Sequence, residues 1–255
     1  MMNWSNPKAE AGPIAVNVAS QPALLADLRS RMTARRGFAV ATINLDHAVK
    51  LRNDPAFHQA YAAHSHVTAD GNPIVWLERL AGRSEMRLTT GSDLIEPLAK
   101  LAAEIGVPVA FFGATEASLN AAKAELQHRL PDVEIVMTAA PAMGFDPDGS
   151  AADDAIQALR SSGAQLVFLA LGAPKQERFA ARASQALPQT GFVSIGAGLD
   201  FLSGRQHRAP DWMQKLALEW LWRLLQNPRR MAARYGACAA LLPRLVWRAL
   251  VARQS

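Results

Sequence analysis

Short aliphatic blocks alternate with longer stretches of helical periodicity over most of the chain. Phe38 to Ile43, Val107 to Phe112, Val133 to Met137, Leu166 to Leu171 and Phe192 to Ile195 read as buried strands, with a weaker one near Val67. Between them the spacing predicts helices over Pro22 to Arg36 after Ser20, Ser92 to Ile105, Ala117 to Leu130 after Thr115, Asp153 to Ser161 and Lys175 to Leu187. Strand and helix in alternation require crossover connections. The pattern therefore predicts an α/β fold, a mostly parallel sheet with helices on both faces. Past Gly204 the pattern turns to helix alone. Trp212, Leu216, Trp220 and Leu224 are spaced for one apolar face, and Pro228 and Pro243 read as breaks. The chain thus divides into an α/β core over 1–204, with 1–18 as a loose lead-in, and a helical appendage over 205–255.

Size and cysteine usage agree with that division. A chain of 255 residues, 50% hydrophobic, suffices for one sizeable core and an appendage. The single cysteine, Cys238, leaves no intramolecular disulfide and no cysteine-based zinc cluster, which suits a reducing compartment. The amino-terminal stretch lacks the apolar block of a signal peptide. The window nearest to a spanning helix, residues 236–251, is cut by Pro243, Arg244 and Arg248, so a soluble or peripheral protein is expected.

Charge changes the picture more. The net charge is +5, yet the segment from Arg205 onward holds ten Lys or Arg against Asp211 and Glu219, a net of +8, and the core is slightly acidic. Such a segment suits nucleic acid, an anionic membrane or a phosphorylated ligand. Its tryptophans favour the membrane: Trp212, Trp220, Trp222 and Trp247 suit an interface, while Arg223, Arg229, Arg230, Arg234, Arg244 and Arg248 suit headgroups or diphosphates. On this reading a chain ended near Arg208 keeps a folded core.

Candidate chemistry lies where strands end, the place where parallel α/β sheets bind ligands. Gly172-Ala-Pro-Lys-Gln-Glu177 follows one strand and is equally a strand-to-helix turn with a solvated polar face. Phe111-Phe-Gly113-Ala-Thr115 carries a weak phosphate-loop signal and a helix cap. Ser194-Ile-Gly196-Ala-Gly198 adds two glycines that suit a diphosphate or tight helix packing. Asn44 can bond a ligand or cap the next helix. Asp70, before Gly71, can act as a general base within reach of a hydroxyl, although turns use Asp-Gly routinely. Asp146-Pro-Asp148 reads as an acidic surface turn rather than a metal site, and His64 and His66 as a polar loop without a third ligand. Neither GxGxxG nor GxxxxGK[ST] occurs.

Several stretches in sequence order nevertheless carry a resemblance: Thr42-x-Asn44, Asp70-Gly71-x-Pro-x-Val-Trp76, Thr90-Gly-Ser-Asp93, Gly144-Phe-Asp-Pro147, Leu171-Gly-Ala-Pro-Lys-Gln-Glu177, Gly196-x-Gly198-x-Asp-Phe-Leu-x-Gly204, and Arg208-Ala-Pro-x-Trp-Met-Gln214 through Glu219-Trp-Leu-Trp-Arg223 to Pro228-Arg-Arg230. Over roughly residues 37–235 the chain resembles the TagA/WecG/CpsF glycosyltransferases, glycosyltransferase family 26, with a Rossmann-like fold. The resemblance implies an inverting, metal-independent transfer of a sugar from a UDP-sugar to a polyprenyl-diphosphate-linked saccharide. It places that reaction on the cytoplasmic face of the plasma membrane, in the synthesis of a surface polysaccharide. It makes Asp70 the general base and Arg223 and Arg230 the stabilisers of the departing diphosphate. It makes Thr42, Asn44, Gly113, Gln176, Gly196 and Gly198 substrate-binding residues. Gly113-Ala114 stands where the family carries a double glycine. No cofactor and no nucleic-acid partner are implied, and a homo-oligomer is compatible with it. Two rivals share parts of the pattern. A nicotinamide-dependent oxidoreductase shares the architecture but calls for the missing glycine fingerprint, and a nucleic-acid-binding module explains only the basic end.

Overall fold

The computed structural model describes residues 2–5, 12–206, 208–210, 212–213 and 216–254, the Arg230 side chain excepted. Six strands form one sheet: β1 (Phe38–Ile43), β2 (His66–Ala69), β3 (Val109–Gly113), β4 (Ile135–Ala139), β5 (Leu166–Ala170) and β6 (Gly191–Ser194). Their order is β2-β1-β6-β5-β3-β4, and every neighbouring pair is parallel. Alternate residues of each strand face opposite ways. Val40, Phe111, Phe168 and Val193 pack with α1 (Gln21–Thr33), α5 (Ile95–Glu104) and α6 (Glu116–Arg129). On the other face Ala41 and Ile43 meet α2 (Leu45–Asn53), α3 (Pro55–Ala62) and α4 (Asn72–Leu80). Beside them Phe112, Leu169 and Phe192 meet α7 (Ser150–Ser162) and α8 (Lys175–Ala186). The α/β architecture with helices on both faces is the one expected.

The lead-in is not loose where it is described. Trp4 is fully buried in the cluster with α2, α3 and α4, together with Met2, Ile14 and Val16. Its indole N–H donates to Glu78 Oε1 at 2.7 Å, so the polar edge of the ring is satisfied where the rest of it is dry. The histidines also depart from expectation. His66 opens β2 and its Nε2 lies 2.8 Å from Asp27 Oδ2, while buried His64 holds the carbonyl of Ala60 through Nδ1 at 2.8 Å. His66 is a strand residue and His64 lies in the short connection before it, and both side chains are buried rather than solvated. Asp146 and Asp148 do lie on an exposed turn, where Arg178 pairs with Asp148.

Beyond β6 come α9 (Gly198–Leu202), α10 (Glu219–Gln226) and α11 (Pro228–Gln254). Trp212 to Leu224 do not make one helix. A turn at Leu216 and Ala217 interrupts them, with Ala217 left-handed at φ +60°, and Trp212, Leu216 and Trp220 stay exposed. Pro228 does begin a helix, where its missing N–H costs nothing. Pro243, read as a break, lies inside α11. The carbonyl of Ala239 loses its helical partner there, but Ala239 is exposed and water can serve it. Packing carries the helix through: Leu245 and Ala249 are fully buried among α2, α4, Met2 and Trp4. With that helix continuous, Met231–Gln254 has the length of a membrane-crossing segment, and its most apolar 18-residue window has a mean hydropathy of 1.2 and is 17% buried.

Candidate active site

The crossovers part above the middle of the sheet, since β1 leads outward to β2 and β3 outward to β4. There the carboxyl ends of β1, β2, β5 and β6 open into a cleft of about 650 Å³, walled on its far side by Arg205, Gln206, Arg208 and Ala209 and by α10 and α11. Thr42, Asn44, Asp70, Gln176, Gly196 and Arg223 all line it, so the structure brings six of the sequence-derived site residues together. The Arg230 side chain lies outside the described residues.

Asp70 follows β2 directly. Its backbone N–H donates to Ile43 O at 2.8 Å, which continues the β1–β2 ladder by one residue and fixes the carboxyl beside Thr42. Thr42 Oγ1 donates to Asp70 Oδ2 at 3.4 Å. Burial pushes the carboxyl up to about 6; Arg223 across the cleft pulls it down, Glu219 pushes it up, and the Thr42 hydroxyl pulls it down. A carboxyl poised there is ionised at neutral pH yet more basic than an exposed aspartate.

Asn44 caps the helix that follows it. Its Oδ1 accepts from the His47 N–H at 3.0 Å and so starts α2, while the residue also lines the cleft. Behind it Tyr61 Oη donates to Thr42 O at 3.0 Å and lies 2.7 Å from His47 Nδ1. Burial holds His47 down to about 3, so its imidazole is neutral.

The polar turn after β5 is not a solvated face. Gln176 is 2% exposed and Glu177 is fully buried. Gln176 Oε1 accepts from Gly196 N–H at 3.1 Å, and its Nε2 donates to Glu177 Oε1 at 2.8 Å. Both bonds demand the same amide orientation, leaving the second Nε2–H without a partner among the described residues. Burial pushes Glu177 up to about 7.

Gly113 and Gly198 stand apart from the cleft lining. A Cβ on Gly113, whose φ is +115°, would come within 2.5 Å of the Ala170 backbone, so this glycine lets β3 and β5 close up. One on Gly198 would lie 2.6 Å from Ile95 Cδ1, a tight helix contact.

The cationic wall was only partly read from the sequence. Lys50 Nζ sits 2.9 Å from Asp46 Oδ2, and Arg234 Nη2 reaches the same oxygen at 2.8 Å, which ties α11 to α2. Arg208 Nη1 lies 2.6 Å from Asp93 Oδ1, and Arg223 Nη2 is 2.7 Å from Glu219 Oε1. Lys50, Arg205, Arg208, Arg223 and Arg234 all line the cleft. Lys50 and His47 went unread because α2 was not delimited; the Asp46–Lys50 spacing was the available signal. Among the described residues no three His, Cys, Asp or Glu side chains converge as metal ligands would.

An α/β fold with a buried carboxyl and a cationic rim at the carboxyl ends of its strands is a layout that suits an enzyme acting on an anionic substrate. A sequence model of the glycosyl transferase WecG/TagA/CpsF family matches residues 11–255, and the chain belongs to that family. It is 26% identical over 196 residues to an N-acetylglucosaminyldiphosphoundecaprenol N-acetyl-beta-D-mannosaminyltransferase of Bacillus subtilis (strain 168), covering 76% of this chain and 73% of the relative. It is 29% identical over 195 residues to the protein of the same name from Bacillus spizizenii (strain ATCC 23059 / NRRL B-14472 / W23), covering 76% and 74%.

Proposed function

We propose that the protein transfers a sugar from a UDP-sugar to a saccharide on a polyprenyl diphosphate, with inversion at the anomeric carbon. The relatives' names supply the acceptor class, a diphosphoundecaprenol carrying N-acetylglucosamine, and an N-acetylhexosaminyl donor. The observation that supports the chemistry is Asp70 facing Arg223 across one cleft. Asp70 takes the proton of the acceptor hydroxyl as its oxygen attacks the anomeric carbon. The bond from that carbon to the diphosphate breaks on the opposite side, and UDP leaves with the electron pair. Arg223 and its cationic neighbours meet the charge that develops, which is the electrostatic part of the catalysis. On this reading the transfer needs no metal, so EDTA should leave the rate unchanged; loss restored by Mg²⁺ or Mn²⁺ would revoke that clause.

The site of action on this reading is the cytoplasmic face of the membrane. The outward residues of α11, with Trp247 among them, lie in the interface and the basic appendage adds electrostatic attraction. The decisive experiment incubates the protein with a panel of UDP-sugars and a short-chain lipid diphosphate bearing N-acetylglucosamine, then weighs the product and determines its anomeric configuration. A β-linked disaccharide from an α-configured donor is expected. No product from any UDP-sugar, or an α linkage, contradicts the proposal.

A further inference from the structure

Outside the cleft, three arginines gather at one seam without an acidic partner among the described residues. Arg52 lies in the last turn of α2, next to Leu51 and one turn past Ala48, both of which pack with Leu245 and Ala249 of α11. Arg244 and Arg248 are one turn apart on α11, and each directly precedes one of those two buried residues. The three side chains therefore flank the same α2–α11 contact. Arg52 Nε and Nη2 are shut off from solvent with no hydrogen-bond acceptor. Among the described residues Arg248 Nη1 donates to the Ser5 carbonyl alone, at 3.3 Å.

A desolvated guanidinium without an acceptor is destabilising, and like charges beside it add to the cost. Burial first, then Arg248 and Arg244, pull Arg52 below its ordinary range; burial and then Arg244 do the same to Arg248. An anion in the seam would relieve all three. Its neighbours say what kind of anion. Val246, Trp247 and Leu250 are exposed on the outward side of α11, and a groove of about 290 Å³ opens between Met2, Trp247 and Arg248. A negatively charged head beside an apolar surface is the chemistry of a lipid. None of the three arginines lines the catalytic cleft, so the lipid is not the reacting diphosphate.

We propose that Arg52, Arg244 and Arg248 bind the phosphate of an anionic phospholipid headgroup, with the outward side of α11 lying in the interfacial layer. This rests on the membrane reading above and adds to it a defined site, one member of which belongs to the core. The site fixes how the helix is turned on the membrane, which diffuse attraction does not.

The test is partition onto vesicles of phosphatidylcholine alone and of phosphatidylcholine with phosphatidic acid, for wild type, R52Q and R253Q. Arg253, an exposed arginine near the end of α11, serves as the control, since its loss removes the same charge away from the seam. R52Q should lower partition onto phosphatidate vesicles tenfold or more, R253Q by about fivefold at most, and neither should change partition onto phosphatidylcholine. Because Arg52 has no partner to lose among the described residues, R52Q should melt no lower than wild type. Equal losses for the two variants would reduce the effect to diffuse attraction and overturn the site. Displacement from the vesicles by millimolar inorganic phosphate at constant ionic strength would assign the seam to free phosphate instead and also overturn it. A wild type that binds neither vesicle would sink the membrane reading itself, an outcome distinct from R52Q binding as wild type does, which would sink the headgroup site alone.

Discussion

Asp70 shows how far a single residue was legible. Its place after a strand and before Gly71 marked it as a candidate base, but the field that tunes it comes from Arg223 and Glu219, more than 140 residues away in the chain. Asp70→Asn should leave donor binding nearly intact and lower turnover about a hundredfold or more. The rate should rise with pH through about 6 as the base ionises. Arg223→Ala should move that acid limb to higher pH and Glu219→Gln to lower pH, since one removes attraction and the other repulsion; a limb fixed in both variants would detach it from Asp70. Glu177 gives a stability counterpart. Its folded value of about 7 lies above the ordinary 4.5, so the folded state holds a proton that the unfolded chain gives up. The stabilisation is complete below pH 4.5 and declines as pH rises through 7. Melting curves from pH 5 to 8 should show this decline in wild type and a smaller one in Glu177→Gln. Gln176 was read as a pocket residue only through resemblance, because spacing does not reveal that its neighbour fixes its amide.

At the level of elements, what was legible was what repeats cleanly. The strands were found because four to six consecutive residues, mostly apolar and all buried, cannot be mistaken for solvent-facing chain. Their ends shifted by a residue or two: β4 runs Ile135–Ala139 against an expected Val133 to Met137. The short helices α2, α3 and α4 were largely missed. Each has eight or nine residues, and α3 buries His58 and Tyr61, whose polar atoms disguise an inward face. Pro243 misled in the opposite sense, since a local rule was overridden by the burial of Leu245 and Ala249. Pro243→Ala should therefore stabilise the protein by about 1–3 kcal/mol, measured by denaturant unfolding, if the helix needs no bend there. Trp4→Ala should cost about 3–5 kcal/mol, because it removes a fully buried ring and leaves Glu78 short of a donor. A loose lead-in would have cost nothing.

For the whole molecule, strand order was illegible because it depends on which crossovers pack together, and no local pattern records that. The appendage was legible as basic and helical but not as part of the core. Ending the chain near Arg208 should not leave the intact core expected from the sequence. It removes Leu245 and Ala249 from one hydrophobic cluster and Arg234 from Asp46, so the truncated chain should melt well below the full one or aggregate. Vesicle binding by the full chain should weaken steeply with added salt, as attraction shared among many exposed arginines must. The same packing sets a timetable for synthesis. A nascent chain that has just emitted β6 has its sheet, the Asp70 carboxyl and the Gln176 amide, yet lacks the cationic wall and the helix that closes over Met2 and Trp4. Chains grow at about 5–20 residues per second, so for some seconds the half-built cleft and an unsealed apolar seam face the cytosol together. The interval in which the protein is most exposed to chaperones is therefore also the interval in which it cannot yet work.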